Sequence, residues 1–397
     1  MNDAAVIVCP GDASASSRLA VRLGGLTLLA RAALTARQAG ISRLIVVGDE
    51  GQRGLFEACC RAEGGLEGAV WLLAGELPDP VPGRSLLLLP EVVVTAEGLR
   101  AWDDCLPETP EAAAPDTSGL GPLAVPSAHL AEAIAAARGG RRGLADFLAD
   151  LQARGVLATA PWRGALREPV ASSGDVPGAE QRMLRALRTA EDGPIVDRYV
   201  NRSASGWLSR RLSRTSITPN QVTVASLLTG LLAAWVLGST SYLVSLLGLC
   251  LFQASMVLDH VDGEIARMKF QFSPLGKWLD NWSDHAVDVA AIGGLAWRAA
   301  QDGSTAHPIL LGLMAAAGVT GSFLIVFWWS LHAERGAGRL PVAVTAMANR
   351  DGFCLALWVA VLLDRPLWFL WALALGANLY WMIWLLRVGA PRRGMLP

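Results

Sequence analysis

Between residues 259 and 284 the chain reads DHVDGEIARMKFQFSPLGKWLDNWSD, with aspartates at Asp259, Asp262, Asp280 and Asp284. Within each pair the spacing is three or four residues, which on a helix sets both carboxylates on one face. A turn at FSP (272–274) folds the two helices antiparallel and brings the pairs together. Four carboxylates alone would repel one another and raise one another's pKa, whereas one or two divalent cations would satisfy all of them. An oxygen-only ligand set without Cys or His favours Mg2+ or Mn2+. Gly263 and Gly276 stand on the same faces, a turn from an aspartate, and leave room for a ligand or a close helix. Arg267 follows Asp262 by five residues and is placed to meet a phosphate. Asp288, one turn beyond Asp284, extends the polar wall; His260 and His285 point off the carboxylate face.

These carboxylates lie among segments apolar enough to cross a bilayer. The 397 residues are 52% hydrophobic and 17% charged, with mean hydropathy +0.37. Both figures average two unlike halves. Up to about residue 190 charges are mixed and apolar runs short; beyond about 218 long apolar stretches dominate. Six spans are expected, at about 219–237, 241–267, 276–299, 307–331, 350–363 and 366–387. Lys269, Lys277, Arg335, Arg339, Arg350 and the arginines of the tail fall on one side, while only Arg298 and Arg365 fall on the other. By the positive-inside rule both termini face the cytoplasm, and the aspartates stand at cytoplasmic helix ends. An ionisable residue inside a membrane is expensive and by default functional; at a cytosol-facing mouth the cost falls.

In the first half, short β-branched runs such as AAVIVCP, RLIVVGD and SLLLLPEVVV alternate with helical patterns. This is the βαβα signature of an α/β domain with a mostly parallel sheet. Residues 1–167 are assigned to it. REPVASSGDVPGAEQ, rich in Pro, Gly and Ser, is expected to be a linker. A basic amphipathic segment completes 168–217 and is expected along the membrane surface, ahead of a membrane domain at 218–390. The N-terminus carries an acidic residue and a short apolar run, so it is expected to be a first strand and not a signal peptide. Six cysteines without a CxxC pair argue against zinc and against a disulfide framework. A net charge of -1 gives no field for nucleic acid.

The order DxxDGxxAR, eight residues, then GxxxDxxxD, filled by Asp259, Asp262, Gly263, Ala266, Arg267, Gly276, Asp280 and Asp284, resembles the full signature of the CDP-alcohol phosphotransferases. TPNQVT (218–223) is similar to the family's segment at the first span. The resemblance covers roughly residues 190–390. It implies six helices around a cytosol-facing cavity, two metal ions held by the aspartates, and a CDP-linked donor over them. Asp259, Asp262, Asp280 and Asp284 would be metal ligands, with Asp284 also the general base that deprotonates the acceptor hydroxyl. Asn220, Thr223, Asp259, Gly263, Ala266, Arg267 and Gly276 would bind the CDP moiety. Asn220 and Thr223, three apart on one face, are on pattern alone equally a helix-start cap. A phosphorylated acceptor needs cations, and Arg350, Arg339 and Lys277 are the candidates. The donor would be of CDP-diacylglycerol or CDP-inositol type, the acceptor a polyol phosphate, the protein a homodimer in the cell membrane.

The front half resembles the nucleotidyltransferase-like domain that precedes such transferases in bifunctional enzymes making and using CDP-inositol. GGLTLLARAALTARQAGISRLIVVG fits that pattern. AVIVCPGDASASSRL departs from it: Gly11 is the sole glycine of the loop, Arg18 the nearest cation, and Glu91 stands near the expected metal-binding aspartate. A loop without those glycines loses the close backbone approach that cradles phosphates. The front domain is therefore expected to be inactive. The alternatives are a bifunctional enzyme that also makes its CDP-alcohol from CTP, and a cation transporter with a regulatory domain.

Overall fold

The computed structural model describes residues 4–63, 65–76, 78, 83–107, 111–188, 201–303, 307–332 and 350–389. The chain divides into two compact units, residues 1–188 with 268–270, and residues 189–267 with 271–397.

In chain order the first unit holds β1 (Ala4–Val8), α1 (Ala15–Leu19), a small hairpin of β2 (Arg22–Leu23) and β3 (Leu26–Thr27), α2 (Leu28–Gln38), β4 (Arg43–Gly48), α3 (Glu50–Ala62), β5 (Val70–Leu73), β6 (Arg84–Leu88), β7 (Val92–Val94), α4 (Ala96–Asp103), β8 (Ala112–Ala114), β9 (Leu123–Pro126), α5 (Leu130–Arg138), α6 (Gly140–Ala153), β10 (Leu157–Thr159), β11 (Arg167–Pro169) and α7 (Val176–Leu187). Seven strands form one sheet in the order β10-β8-β9-β6-β1-β4-β5. β6, β1, β4 and β5 run parallel, and β9 runs antiparallel to both its neighbours. The central β1 is wholly buried. Its alternate residues supply two cores, Ala5 and Ile7 to one and Val6 and Val8 to the other, as a strand covered on both faces requires. Helix starts carry the expected signals: Thr27 accepts from Ala30 at the head of α2, and Asp49 forms a capping box with Gln52 at the head of α3.

The stretch expected to be a linker is folded. β11 pairs antiparallel with β7, and α7 buries Val176, Ala179, Met183 and Leu184. Pro177 at the start of α7 supplies a preset φ there, so the proline that suggested a breaker opens a helix. The first unit therefore reaches Arg188 and does not stop at 167.

The second unit begins with α8 (Arg202–Leu212), followed by α9 (Pro219–Leu237), α10 (Tyr242–Lys269), α11 (Pro274–Gln301), α12 (Pro308–His332), α13 (Arg350–Leu362) and α14 (Pro366–Gly389). Helices thus occupy all six apolar segments. Four, α9, α10, α12 and α14, are long and apolar enough to cross a membrane, and the chain is a membrane protein. α13 offers only a short apolar stretch, Gly352–Leu362. α11 has the length, but its row of aspartates breaks the apolar run.

Close helix approach in this unit is made by small residues and polar bonds. A Cβ at Gly230 would meet Val287 at 2.5 Å, and one at Gly294 would stand 2.2 Å from the carbonyl oxygen of Ala234, so α9 and α11 touch nearly backbone to backbone. Between α12 and α14, Asn378 donates to the carbonyl of Met314 at 2.9 Å and Ser322 to that of Ala377 at 3.2 Å. Arg298 at the end of α11, 2% exposed, pairs with Asp364 at 2.5 Å. That guanidinium is therefore paired inside the fold. In α8 Ser205, Gly206 and Ser209 are buried and Trp207 is exposed, with the Arg211 guanidinium 4.5 Å over the Trp207 ring.

The two adjacent glycines of α11 give an internal comparison. A Cβ at Gly293 meets nothing within 4 Å. Gly294→Ala is expected to destabilise the folded chain by about 1–3 kcal/mol through overpacking. Gly293→Ala should be neutral or slightly stabilising; thermal unfolding midpoints of the detergent-solubilised variants check the difference.

Candidate active site

α10 carries Asp259 and Asp262, and α11 carries Asp280, Asp284 and Asp288. The connecting turn is tight. Phe270 takes a left-handed φ of 55° and Gln271 donates its N–H back to Ala266 at 2.9 Å. Ser273 then caps α11 by accepting from the Gly276 N–H at 2.8 Å. Across this turn Asp259, Asp280 and Asp284 bring carboxylate oxygens within 4.8 Å of one another. The donor set is oxygen alone and the spacing suits a hard divalent ion, so the residues present fit one.

Asp262, 5% exposed, accepts a hydrogen bond from Thr223 Oγ1 at 2.5 Å. Thr223 comes from α9, whose true cap is Thr218: it accepts from the Gln221 N–H at 3.4 Å while Gln221 Oε1 accepts from the Thr218 N–H at 3.0 Å. The reading of Asn220 and Thr223 as a helix cap is thereby removed. Both line a cavity of about 440 Å³ together with Asp262, Gly263, Ala266, Arg267, Gly276, Lys277 and Asp280. That size suits a small-molecule ligand. Asp259 and Asp284 join through the carboxylate cluster and not through the cavity wall.

Arg350, the first residue of α13, has its guanidinium among the carboxylates. Nη1 donates to Asp259 Oδ2 at 3.1 Å and pairs with Asp284, and Nε stands 3.6 Å from Asp288 Oδ1. Lys277 lines the cavity, and Arg339 lies outside the described residues. Of the two histidines, His260 Nδ1 bonds the Met256 carbonyl at 2.7 Å, and His285 stacks on Phe323 with ring centroids 4.4 Å apart. Three roles lie beyond the sequence reading. Ser273 caps α11 and lines the cavity, which the S-P-x-G pattern could have announced. Asp288 reaches Arg350 across 62 positions of chain, which no local pattern records. Glu264, buried one residue past Gly263, accepts from Ser205 of α8 at 3.2 Å.

Residues 216–391 match the family described as CDP-alcohol phosphatidyltransferase. Over that stretch the chain is similar to CDP-alcohol phosphatidyltransferase domains. Curated relatives of the chain include the bifunctional IPC transferase and DIPP synthase of Rubrobacter xylanophilus, 30% identical over 211 residues, which are 53% of this chain and 44% of the relative. The protein of the same name from Thermococcus kodakarensis is 35% identical over 153 residues, 37% of this chain and 34% of that one. The archaetidylinositol phosphate synthase of Aeropyrum pernix is 34% identical over 128 residues, 32% and 61% respectively. The chain spans less than half the length of the bifunctional relatives it matches. The crystal structure of Mycobacterium tuberculosis phosphatidylinositol phosphate synthase with CDP-DAG bound aligns at TM-score 0.39 and 20% identity, over 49% of this chain and all of that one. The matched stretch begins at 216, two residues before the Thr218 cap, and it contains every aspartate of the cluster.

In the first unit, the loop after β1 is closed by its own side chains. Arg18 pairs with Asp12 at 2.7 Å and with Glu91 at 3.2 Å. Gln52 Nε2 donates to the Pro10 carbonyl at 2.8 Å, and the Gly11 N–H donates to the Arg138 carbonyl at 2.9 Å. A Cβ at Gly11 would lie 2.6 Å from the Arg138 guanidinium, itself held by Asp49 at 2.7 Å.

Two outcomes follow from these geometries. A Cβ at Gly276 would stand 2.8 Å from both Asn220 Oδ1 and Ser273 Oγ, so Gly276→Ala should weaken binding of a CDP-alcohol by about tenfold or more, with cation binding retained, as calorimetry of each ligand can read. Arg18 holds the Asp12 carboxyl at about 2, below its ordinary 3.8. A depressed folded value means that the ion pair's contribution is complete above about pH 4 and is lost as pH falls through about 2. Asp12 is 55% exposed, so the contribution is small and salt-sensitive. Hydrogen exchange at residues 12–18, corrected for intrinsic rate, should hold level down to about pH 4 and rise below it.

Proposed function

We propose that this protein is an integral membrane CDP-alcohol phosphotransferase that moves a substituted phosphate from a CDP-alcohol to an acceptor alcohol with release of CMP. The observation that carries the reading is the meeting of Asp259, Asp280 and Asp284 within 4.8 Å, beside a cavity walled by the motif residues Gly263, Ala266, Arg267 and Gly276. Asp259, Asp262, Asp280 and Asp284 would hold Mg2+ or Mn2+, two ions by the resemblance. When bound, they would neutralise the diphosphate and stabilise departing CMP. Asp284 takes the proton of the acceptor hydroxyl. The acceptor oxygen then forms a bond to the phosphorus bearing the donor's alcohol, and the bond from that phosphorus to the CMP oxygen breaks. Asn220, Thr223 and Arg267 are the polar contacts for the CDP moiety, and the two glycines allow it to approach the helices.

A polyol phosphate is the acceptor class we favour, because Lys277 lines the cavity and Arg350 stands at its carboxylate cluster. Six spans, cytoplasmic termini and a cytosol-facing site in the cell membrane complete the reading, as does a homodimer. The lysines at 269 and 277 support that orientation, and burial of Arg298 in its pair with Asp364 sharpens the contrast between the two sides. We do not assign cytidylyl transfer to the first unit, whose loop cation Arg18 is already paired with Asp12 and Glu91.

Purified protein in nanodiscs, given Mg2+ and a panel of CDP-alcohols with phosphorylated alcohols, should release CMP and form a phosphodiester detectable by mass. Asp284→Asn should lower that release by about 10²-fold or more. CMP release that survives the substitution would remove Asp284 from its role. Pyrophosphate release from CTP and a polyol phosphate would restore the bifunctional alternative, and cation flux into proteoliposomes without any CMP would point to transport.

A further inference from the structure

A guanidinium sits where the proposed cations would bind. Arg350 donates to Asp259 at 3.1 Å and pairs with Asp284, both members of the cation-sized cluster. Its Nε and the Oδ1 of Asp288 are both buried and both without a hydrogen-bond partner, 3.6 Å apart. Asp288 lies one helical turn past Asp284 on the same face and outside the four-aspartate signature. We propose that Arg350 is a built-in competitor for the divalent cations: it occupies Asp259 and Asp284 when they are absent and withdraws onto Asp288 when they bind.

The inference rests on the cation site read under Proposed function. A guanidinium and a metal ion cannot share the same carboxylate oxygens, because like charges a few ångströms apart repel strongly where water is scarce. Arg350 must therefore yield as the site loads. An orphaned donor and an orphaned acceptor already face each other on the far side, and closing 3.6 Å to a hydrogen-bond length of about 2.9 Å takes a movement of about 0.7 Å. The planar fork of arginine can exchange one carboxylate for another while staying paired throughout, which a lysine ammonium does less well. Asp288 is on this reading a positioning residue: it gives the displaced guanidinium a partner and so favours the loaded state.

Calorimetric titration of the full chain in nanodiscs with Mg2+ alone and Mn2+ alone tests this without turnover. Arg350→Gln should bind the cations about tenfold more tightly than wild type. Arg350→Lys should fall between them, and Asp288→Asn should bind more weakly by about threefold or more. Wild-type or weaker affinity in Arg350→Gln overturns the proposal. If that variant does not fold, the opposite displacements of Arg350→Lys and Asp288→Asn decide, and unchanged affinity in both overturns it. Asp259→Asn separates the two readings. Cation binding that survives it removes the cation site itself, whereas binding that is lost there but indifferent to Arg350 and Asp288 removes only the competitor.

Discussion

Mutual repulsion of carboxylates held close together in a medium poor in water is the constraint around which the second unit is arranged. Three aspartate side chains meet within 4.8 Å, and two more stand on the same helices. Such a group is relieved by protons or by positive charge supplied from elsewhere. Among the described residues the cluster receives the guanidinium of Arg350, and Asp262 beside it the hydroxyl of Thr223. Bringing α9 to α11 nearly backbone to backbone through Gly230 and Gly294 sets the donor on α9 within reach of Asp262 on α10. Packing by small residues is thus the means by which the charges are collected.

How much of the fold and the site is legible in the amino-acid sequence depends on the range of each interaction along the chain. The aspartates are legible because helical spacing of three and four is a local pattern, and so are the apolar segments, each of which forms a helix. Arg350 stands out as a cation on the right side, yet its pairing with Asp259, 91 positions away, has no local signature. The stretch at 168–181 defeats a linker reading for a related reason. Pro, Gly and Ser suit a linker, but they equally suit an edge strand followed by a proline-started helix. The choice is made by Val92–Val94 and by the apolar face of α7, both remote in composition from the loop itself.

The first unit shows the same chemistry turned to another end. Its loop after β1 is closed internally: Arg18 meets two carboxylates, Arg138 meets Asp49, and the single glycine is pressed against a guanidinium. These charges are balanced inside the protein. The lack of the usual glycines is visible in the sequence. That ion pairs from α5 and the segment before β7 fill the place is not, because those partners come from distant parts of the fold.

The reciprocal bonds between Thr218 and Gln221 have a consequence for the energetics of ligand capture. They fix the first turn of α9, and with it the backbone of Asn220 and of Thr223, while the chain folds. The ordering entropy of that wall is incurred then and not when a ligand arrives, so a larger share of each contact formed there remains as affinity. A cap at the very start of the helix, touching no ligand itself, would in this way set how tightly one can be held.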